Sequence, residues 1–229
     1  FLTFSLILTI YAGINAQVPL NTLVQITKAE DARAFDGVLE GLMRSPNAET
    51  RNRAALAAGR IGDERALPAL IGLLEKDPEA AGMAAFAIGE IESIKGAGAI
   101  MKNLDSVVNG DGRSVLDLGL ATSLIEAAGK IAAANPKEDD SKKLGKLILN
   151  SLGSSKMDAA NRMPRGDRDF FVSGLTAVLR ARPEGADVVV ARFLSSPHAR
   201  IRSHAGNTLT RLRAKNANET LRKMLVSEP

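Results

Sequence analysis

An all-α fold of stacked helical hairpins is predicted by three observations. Apolar residues make up 45% of the 229-residue chain, aromatics only 3%, and tryptophan is absent. A core filled by alanine, leucine, isoleucine and valine suits helices packed closely along their length better than an aromatic-centred sandwich. The stretch "AALAAGRI" (Ala54–Ile61) returns without a gap as "AAFAIGEI" (Ala84–Ile91) 30 residues later, and as "LIEAAGKI" (Leu124–Ile131) after 40 more. Self-similarity at such a period marks a repeat stack. Finally, the first copy runs through a two-residue turn into a second helical pattern, so the unit is an αα-hairpin whose apolar stripe only a neighbour can cover.

The three copies share an ending: Gly59-Arg60-Ile61, Gly89-Glu90-Ile91 and Gly129-Lys130-Ile131. The charged slot changes sign while glycine and isoleucine stay, which reads as a solvated position beside a buried one. A mid-helix glycine costs about 1 kcal/mol relative to alanine. Its recurrence predicts that another helix comes close there.

Taken in order, the chain begins with "FLTFSLILTIYAGINAQ", uncharged and apolar through Tyr11. Residues 1–16 read as a secretory signal cleaved after Ala16, in a chain expected to lack its first few residues. The expectation is therefore an exported protein, periplasmic or secreted, touching a membrane only if that segment is retained. Residues 17–229 read as the solenoid, expected to continue beyond the C-terminus. "DGVLEGLM" (Asp36–Met43) is a second helix ending at Pro46. In the next unit Gly62 suits a left-handed C′ position and Asp63 an N-cap. Pro68 sits near a helix start, where a missing donor does least harm. Leu67, Leu70, Leu73 and Leu74 then form a stripe that Asp77-Pro78 stops.

Further along, "KKLGKLILNSL" (Lys142–Leu152), "EGADVVVARFL" (Glu184–Leu194) and "ETLRKMLV" (Glu219–Val226) read as second helices. "RDFFVSGLTAVLRA" (Arg168–Ala181) and "HARIRSHAGNTLTRLRA" (His198–Ala214) read as first helices. Shifting the opening unit by 151 places Pro46 on Pro197, Arg51 on Arg202, Ile61 on Leu212 and Leu70 on Leu221. Polar linkers are expected at Ala134–Lys143 and Gly153–Asp167. The total is about five to six helical hairpins.

The run "AALAAGRIGDERALPALIGLL" resembles HEAT repeats of the phycobilisome-lyase-like kind. The resemblance implies a right-handed α-α superhelix (HEAT/armadillo-like solenoid), with a concave surface lined by the second helices. "ITKAEDARAFDGVLEGLM", "AAFAIGEIES", "GKIAAANPKE" and "GLTAVLRARP" are similar to the helical N-terminal region of exported bacterial proteins that end in a cyclophilin-type prolyl isomerase domain. Nothing in the chain resembles that catalytic domain.

Chemistry finds few candidates. The absence of cysteine excludes disulfides, thiolate metal sites and cysteine nucleophiles. His198 and His204 lie six apart, on different faces of one helix, and read as surface histidines. "VVNGDGRS" (Val107–Ser114) lacks phosphate-loop spacing and the acids of a calcium loop, so it reads as a turn before a helix. Glu138, Asp139 and Asp140 read as solvated loop charge. Arg165–Asp167 spells an adhesion tripeptide on an expected loop, and Asn218–Thr220 a glycosylation sequon at a helix start; both read as incidental. No catalytic, cofactor-binding or metal-ligating residue is expected.

The charge is uneven. From Arg162 onward there are 13 basic and 6 acidic residues. Arg192, Arg200, Arg202, Arg211, Arg213 and Arg222 are the candidate partner-binding residues, within a cluster that also holds Arg180, Arg182 and Lys223. Export and the lack of interleaved aromatics argue against nucleic acid. The sequence thus predicts a non-catalytic exported scaffold, monomeric and without cofactors, that binds a protein partner through the concave face. The alternative is an accessory region of a larger prolyl isomerase.

Overall fold

The computed structural model describes residues 17–109, 115–153 and 165–227, so the expected signal segment at 1–16 lies outside the described residues. The predicted leucine stripe is interior, but the helix bearing it packs against the alanine-rich helix that follows it rather than the one before it. In chain order, alternating first and second helices, the elements are α1 (Leu20–Ala32), α2 (Gly37–Leu42), α3 (Ala48–Ile61), α4 (Leu67–Lys76), α5 (Ala81–Ile91) and α6 (Ala97–Asn109). Then follow α7 (Val115–Ala134), α8 (Asp139–Gly153), α9 (Arg165–Ala181), α10 (Ala186–Ala191), α11 (Ala199–Leu212) and α12 (Asn218–Ser227). Among the described residues there is no strand. α2 packs on α3, α4 on α5, α6 on α7, α8 on α9 and α10 on α11. These five hairpins, within the expected range, join each second helix to the first helix of the next unit, one helix out of the expected phase. The molecule is an all-α HEAT-like solenoid.

Local chemistry sets the ends. Asp36, Asn47, Asp63 and Ser93 each accept a hydrogen bond from a backbone N–H two or three residues ahead, capping a helix or a short 3-10 turn. Pro68 lies in the first turn of α4. The first helices stop on a residue in the left-handed region: Arg33, Gly62, Glu92, Arg182 and Arg213 follow α1, α3, α5, α9 and α11. Only one of these is glycine, so the stop is imposed by packing at the other four, against the steric cost of a Cβ there.

The recurring glycines mark where one first helix meets the next. A Cβ on Gly59 would stand 2.8 Å from Ala87 Cα, on Gly89 2.7 Å from Ala127 Cα, and on Gly129 2.6 Å from Ala177 Cα. Each glycine therefore faces the alanine two positions before the glycine slot of the next unit, backbone against backbone. At the following step the slot holds Leu179 and its counterpart is Thr208, whose Oγ1 donates to the Leu175 carbonyl at 3.3 Å. The close approach is thus replaced by a side-chain hydrogen bond between α9 and α11.

Second helices behave differently. α4 and α6 scarcely touch, nor do α2 and α4 or α10 and α12, and α6 with α8 and α8 with α10 meet less extensively than α3, α5, α7 and α9 do in direct succession. A stack with one layer spaced more closely bends toward that layer. The first helices therefore line the inner side, which reverses the expectation that the second helices do so. The core between the layers is one continuous cluster running from Ile26 to Ala217 and including Leu39, Leu70, Ile100, Leu124 and Leu144.

Two linker expectations are also corrected. Asp139 and Asp140 form the first turn of α8 and pair with Lys142 and Lys143 at 2.7 and 2.8 Å. Carboxylates there complement the helix dipole. Arg165–Asp167, expected on a loop, is helical backbone in the first turn of α9. Residues 154–164 of that linker and residues 110–114 of the predicted turn lie outside the described residues.

Candidate functional site: the first-helix face

Because the units are in register, equivalent first-helix positions that escape burial form rows across the stack. One row is Leu56, Phe86, Glu126, Thr176 and Asn207; the next is Arg60, Glu90, Lys130, Arg180 and Arg211. The second row is the charged slot that the sequence suggests is simply solvated. The structure corrects this at its centre. Lys130 has a side chain only 11% exposed, lies 4.5 Å above the Phe86 ring, and pairs with both Glu90 and Glu126, the latter at 2.8 Å. Withdrawn from water, the ammonium is held by two carboxylates and the negative face of an aromatic ring.

Other pairs extend the pattern from the acid of one unit to the base of the next. Glu30 of α1 receives Arg53 and Arg60 of α3 at 3.1 and 3.2 Å, Glu126 meets Arg180 at 3.8 Å, and Asp169 meets Arg200 at 3.3 Å. Exposed pairs of this kind contribute about 0–1 kcal/mol each. Their effect is to fix the sign pattern on the inner face. That pattern is mixed at α1 to α7 and basic from Arg180 to Arg211.

A second cluster clamps the edge where units meet. Arg51 donates from Nε to Asp77 at 2.5 Å, from Nη1 to the carbonyls of Ser45 and Pro46 at 2.9 and 3.1 Å, and from Nη2 to Glu79 at 3.1 Å. The hydrogen bonds from Arg51 hold the Asp77 carboxyl below its ordinary range, against the opposing effect of burial. Nearby, Lys95 and Ser93 both donate to Glu64 at 2.6 Å and lower its pKa in the same way, with Lys95 the stronger cause.

The six arginines singled out from the sequence separate into different roles. Arg202, aligned with Arg51, repeats the clamp by donating to the Ser196 carbonyl at 2.9 Å. Arg192 reaches the Gly153 carbonyl at 3.4 Å from the second layer. Arg200 and Arg211 share the first-helix face, whereas Arg213 occupies a turn and Arg222 belongs to α12 in the second layer. Arg211, Arg213 and Arg222 are exposed and make no ion pair among the described residues. The structure therefore does not gather the six into one patch. Residues that sequence reasoning missed are Glu30, Phe86, Glu90, Glu126 and Lys130. Their signal was present in the offset of 40 that places Glu90 over Lys130.

His198 occupies the N-cap position of α11, half-buried, with Nε2 shielded and unpartnered, and His204 is half-buried on the same helix. Among the described residues no three histidine, aspartate or glutamate side chains come together as a metal-binding group. No helix among them is long and apolar enough to cross a membrane.

Paired helices, a tight first layer and a continuous interlayer core define an α-solenoid. A family model described as HEAT repeats matches residues 14–107, which reach into α6. The remaining hairpins continue the same packing. No curated protein matches the chain.

Proposed function

We propose that the protein is a non-catalytic, exported scaffold that engages a protein partner through the inner, first-helix face of its stack. HEAT repeats generally mediate contacts between proteins, and the match to that family supports the coarser reading. The observation that carries the finer one is the pair of rows from Leu56 to Asn207 and from Arg60 to Arg211. Glycine slots hold these rows at fixed spacing, so a large surface of defined charge order is preorganised, and little ordering entropy remains to be lost on binding. The basic half, around Arg180 and Arg211, accommodates an acidic region of the partner; Leu56, Met83 and Phe86 provide apolar contact on the mixed half.

The test is capture of a partner from the envelope of the producing cell by the full chain, compared with Arg180→Glu/Arg211→Glu. The reading expects one specific protein retained by the unaltered chain and lost by the variant. Retention by both would contradict it. Resemblance to the N-terminal region of exported prolyl isomerases supports the same role in a longer protein, with the stack presenting clients to a catalytic domain; the coding sequence past Pro229 tests that arrangement.

A further inference from the structure

The second-helix layer carries a groove that the inner face does not use. Between α8 and α10 the layer opens into a cleft of about 960 Å³ whose floor reaches Ala132 and Ala181, near the ends of α7 and α9. The cause is local. α10 is 6 residues long and, even with the 4-residue 3-10 turn Arg192–Ser195 that continues it, is shorter than the 15 residues of α8, so it cannot cover the longer helix. Partway along, Gly145 meets Pro183 so closely that a Cβ would lie 2.9 Å from the proline Cβ. Along α8 the cleft runs from Ser141 on one side of that contact to Gly153 on the other.

The wall contributed by α8 repeats every four residues. Ser141, Gly145 and Leu149 are buried along the floor, while Lys142, Lys146 and Asn150 stand exposed along the rim. Ser141 to Gly153 spans about 18 Å at the helical rise, which matches five or six residues of extended chain. Opposite stands Val188, 63% exposed although it belongs to a helix of the packed stack. Ser141 Oγ, in the first turn of α8, is buried without a hydrogen-bond partner.

Charge selects the occupant. Lys146 on one wall and Arg182 on the other are exposed and make no ion pair among the described residues, and Lys142 is engaged only by its neighbour Asp139. Glu184 is the one acid among the described lining residues. Apolar side chains alternating with carboxylates, as in an extended acidic strand, would place the former on Leu149 and Val188 and the latter at Lys146 and Arg182. We infer that the α8–α10 groove docks an extended acidic segment of a partner protein. The inference rests on the reading of the chain as a protein-binding scaffold and adds a second, outer contact to it.

The full chain is titrated into a fluorescein-labelled peptide of alternating aspartate and leucine, six residues long, and into its lysine-leucine counterpart, with anisotropy as the readout. Saturable binding of the acidic peptide is expected, weakened at least tenfold by Lys146→Glu/Arg182→Glu and by Val188→Asp, and falling with added salt. All three positions are exposed, so the variants should keep the unaltered denaturation midpoint. The lysine peptide should bind only the doubly reversed variant. Acidic-peptide binding that is absent, or insensitive to the double reversal, overturns the groove. So does a concentration-dependent dimer abolished by Val188→Asp, which would make a second copy the occupant. Partner capture that survives Lys146→Glu/Arg182→Glu but not Arg180→Glu/Arg211→Glu would sink the groove alone and leave the inner-face reading standing.

Discussion

Replacing Gly89 with alanine sets two known effects against each other. Within a helix alanine is favoured over glycine by about 1 kcal/mol. Against this, the new Cβ would stand 2.7 Å from Ala127 Cα and 2.9 Å from Ala127 Cβ. Carbon atoms normally rest about 3.5–4.0 Å apart, so α5 and α7 must separate by roughly 1 Å. The obstructing atoms are backbone and a Cβ, which no rotamer change can move. Separation would also loosen Ala84, Ala85 and Leu124, all buried at the same layer. Overpacking of this kind costs about 1–3 kcal/mol, and here the whole helix pair has to shift. We expect a net loss of about 1–2 kcal/mol after the propensity gain, read as a fall of about 0.5 M in the urea midpoint. Gly72→Ala in α4 is the control, because nothing lies within 4 Å of its added methyl; it should raise stability by about 0.5–1 kcal/mol. The reasoning fails if both substitutions stabilise, since the close approach would then not be what retains glycine.

Leu70, with 0% of its surface exposed, should cost about 2–4 kcal/mol on replacement by alanine, measured by the same denaturation. An unmoved midpoint would mean that the packing of α4 on α5 is wrong. Glu92→Gly removes a left-handed Cβ at φ 57° and should stabilise by about 0.5–1 kcal/mol, because the exposed side chain makes no hydrogen bond that offsets the strain. A loss of stability there would contradict the packing account of the stop. Asp77 titrates below its ordinary value because Arg51 donates to it. Its stabilising contribution is therefore complete above the unfolded value of about 3.9 and is lost as pH falls through the lower folded value. Urea midpoints measured from pH 5 down to pH 2 should show this acid loss in the unaltered chain and a shallower one in Asp77→Asn. Equal slopes would show that the clamp carries no proton linkage.

Helices with strong local punctuation were legible. α4 announces itself through Asp63, Pro68 and four leucines, and α11 through its register with α3. α1 and α6 were not read, for different reasons. α1 starts at Pro19 without a side-chain cap and buries only Ile26 and Ala29, so its pattern is faint. α6 replaces the leucines of α4 with Ala97, Ile100 and Leu104, which are fully buried but too small or sparse to stand out from "AGAIMKNLDSVV". The Asp139-Asp140 pair looked like loop because acids and a proline surround it, yet the first turn of a helix favours such residues. Glycine-alanine packing was foreseen from sequence because a costly residue recurred at a fixed place. Which layer faces inward was not, since curvature depends on the spacing of both layers, and nothing in α4 or α6 alone records their separation. The candidate site was missed for a related reason: Lys130 becomes half of a desolvated cluster only when Phe86, Glu90 and Glu126 are brought over it by stacking.

The difference in spacing between layers is the claim from which the inner face follows, and it can be measured on the full chain. Natural cysteine is absent, so spin labels can be introduced in pairs without interference. Arg60→Cys/Arg180→Cys samples equivalent exposed positions at the ends of α3 and α9 in the first layer. Glu75→Cys/Ser195→Cys samples the matching exposed positions in the second layer, in the last turn of α4 and just past α10. Three steps of close helix packing at 8–10 Å give about 25–30 Å for the first pair. Electron–electron double resonance should return a clearly longer distance for the second pair. Equal distances, or a shorter one in the second layer, would contradict the account and move the binding face to the other side of the stack.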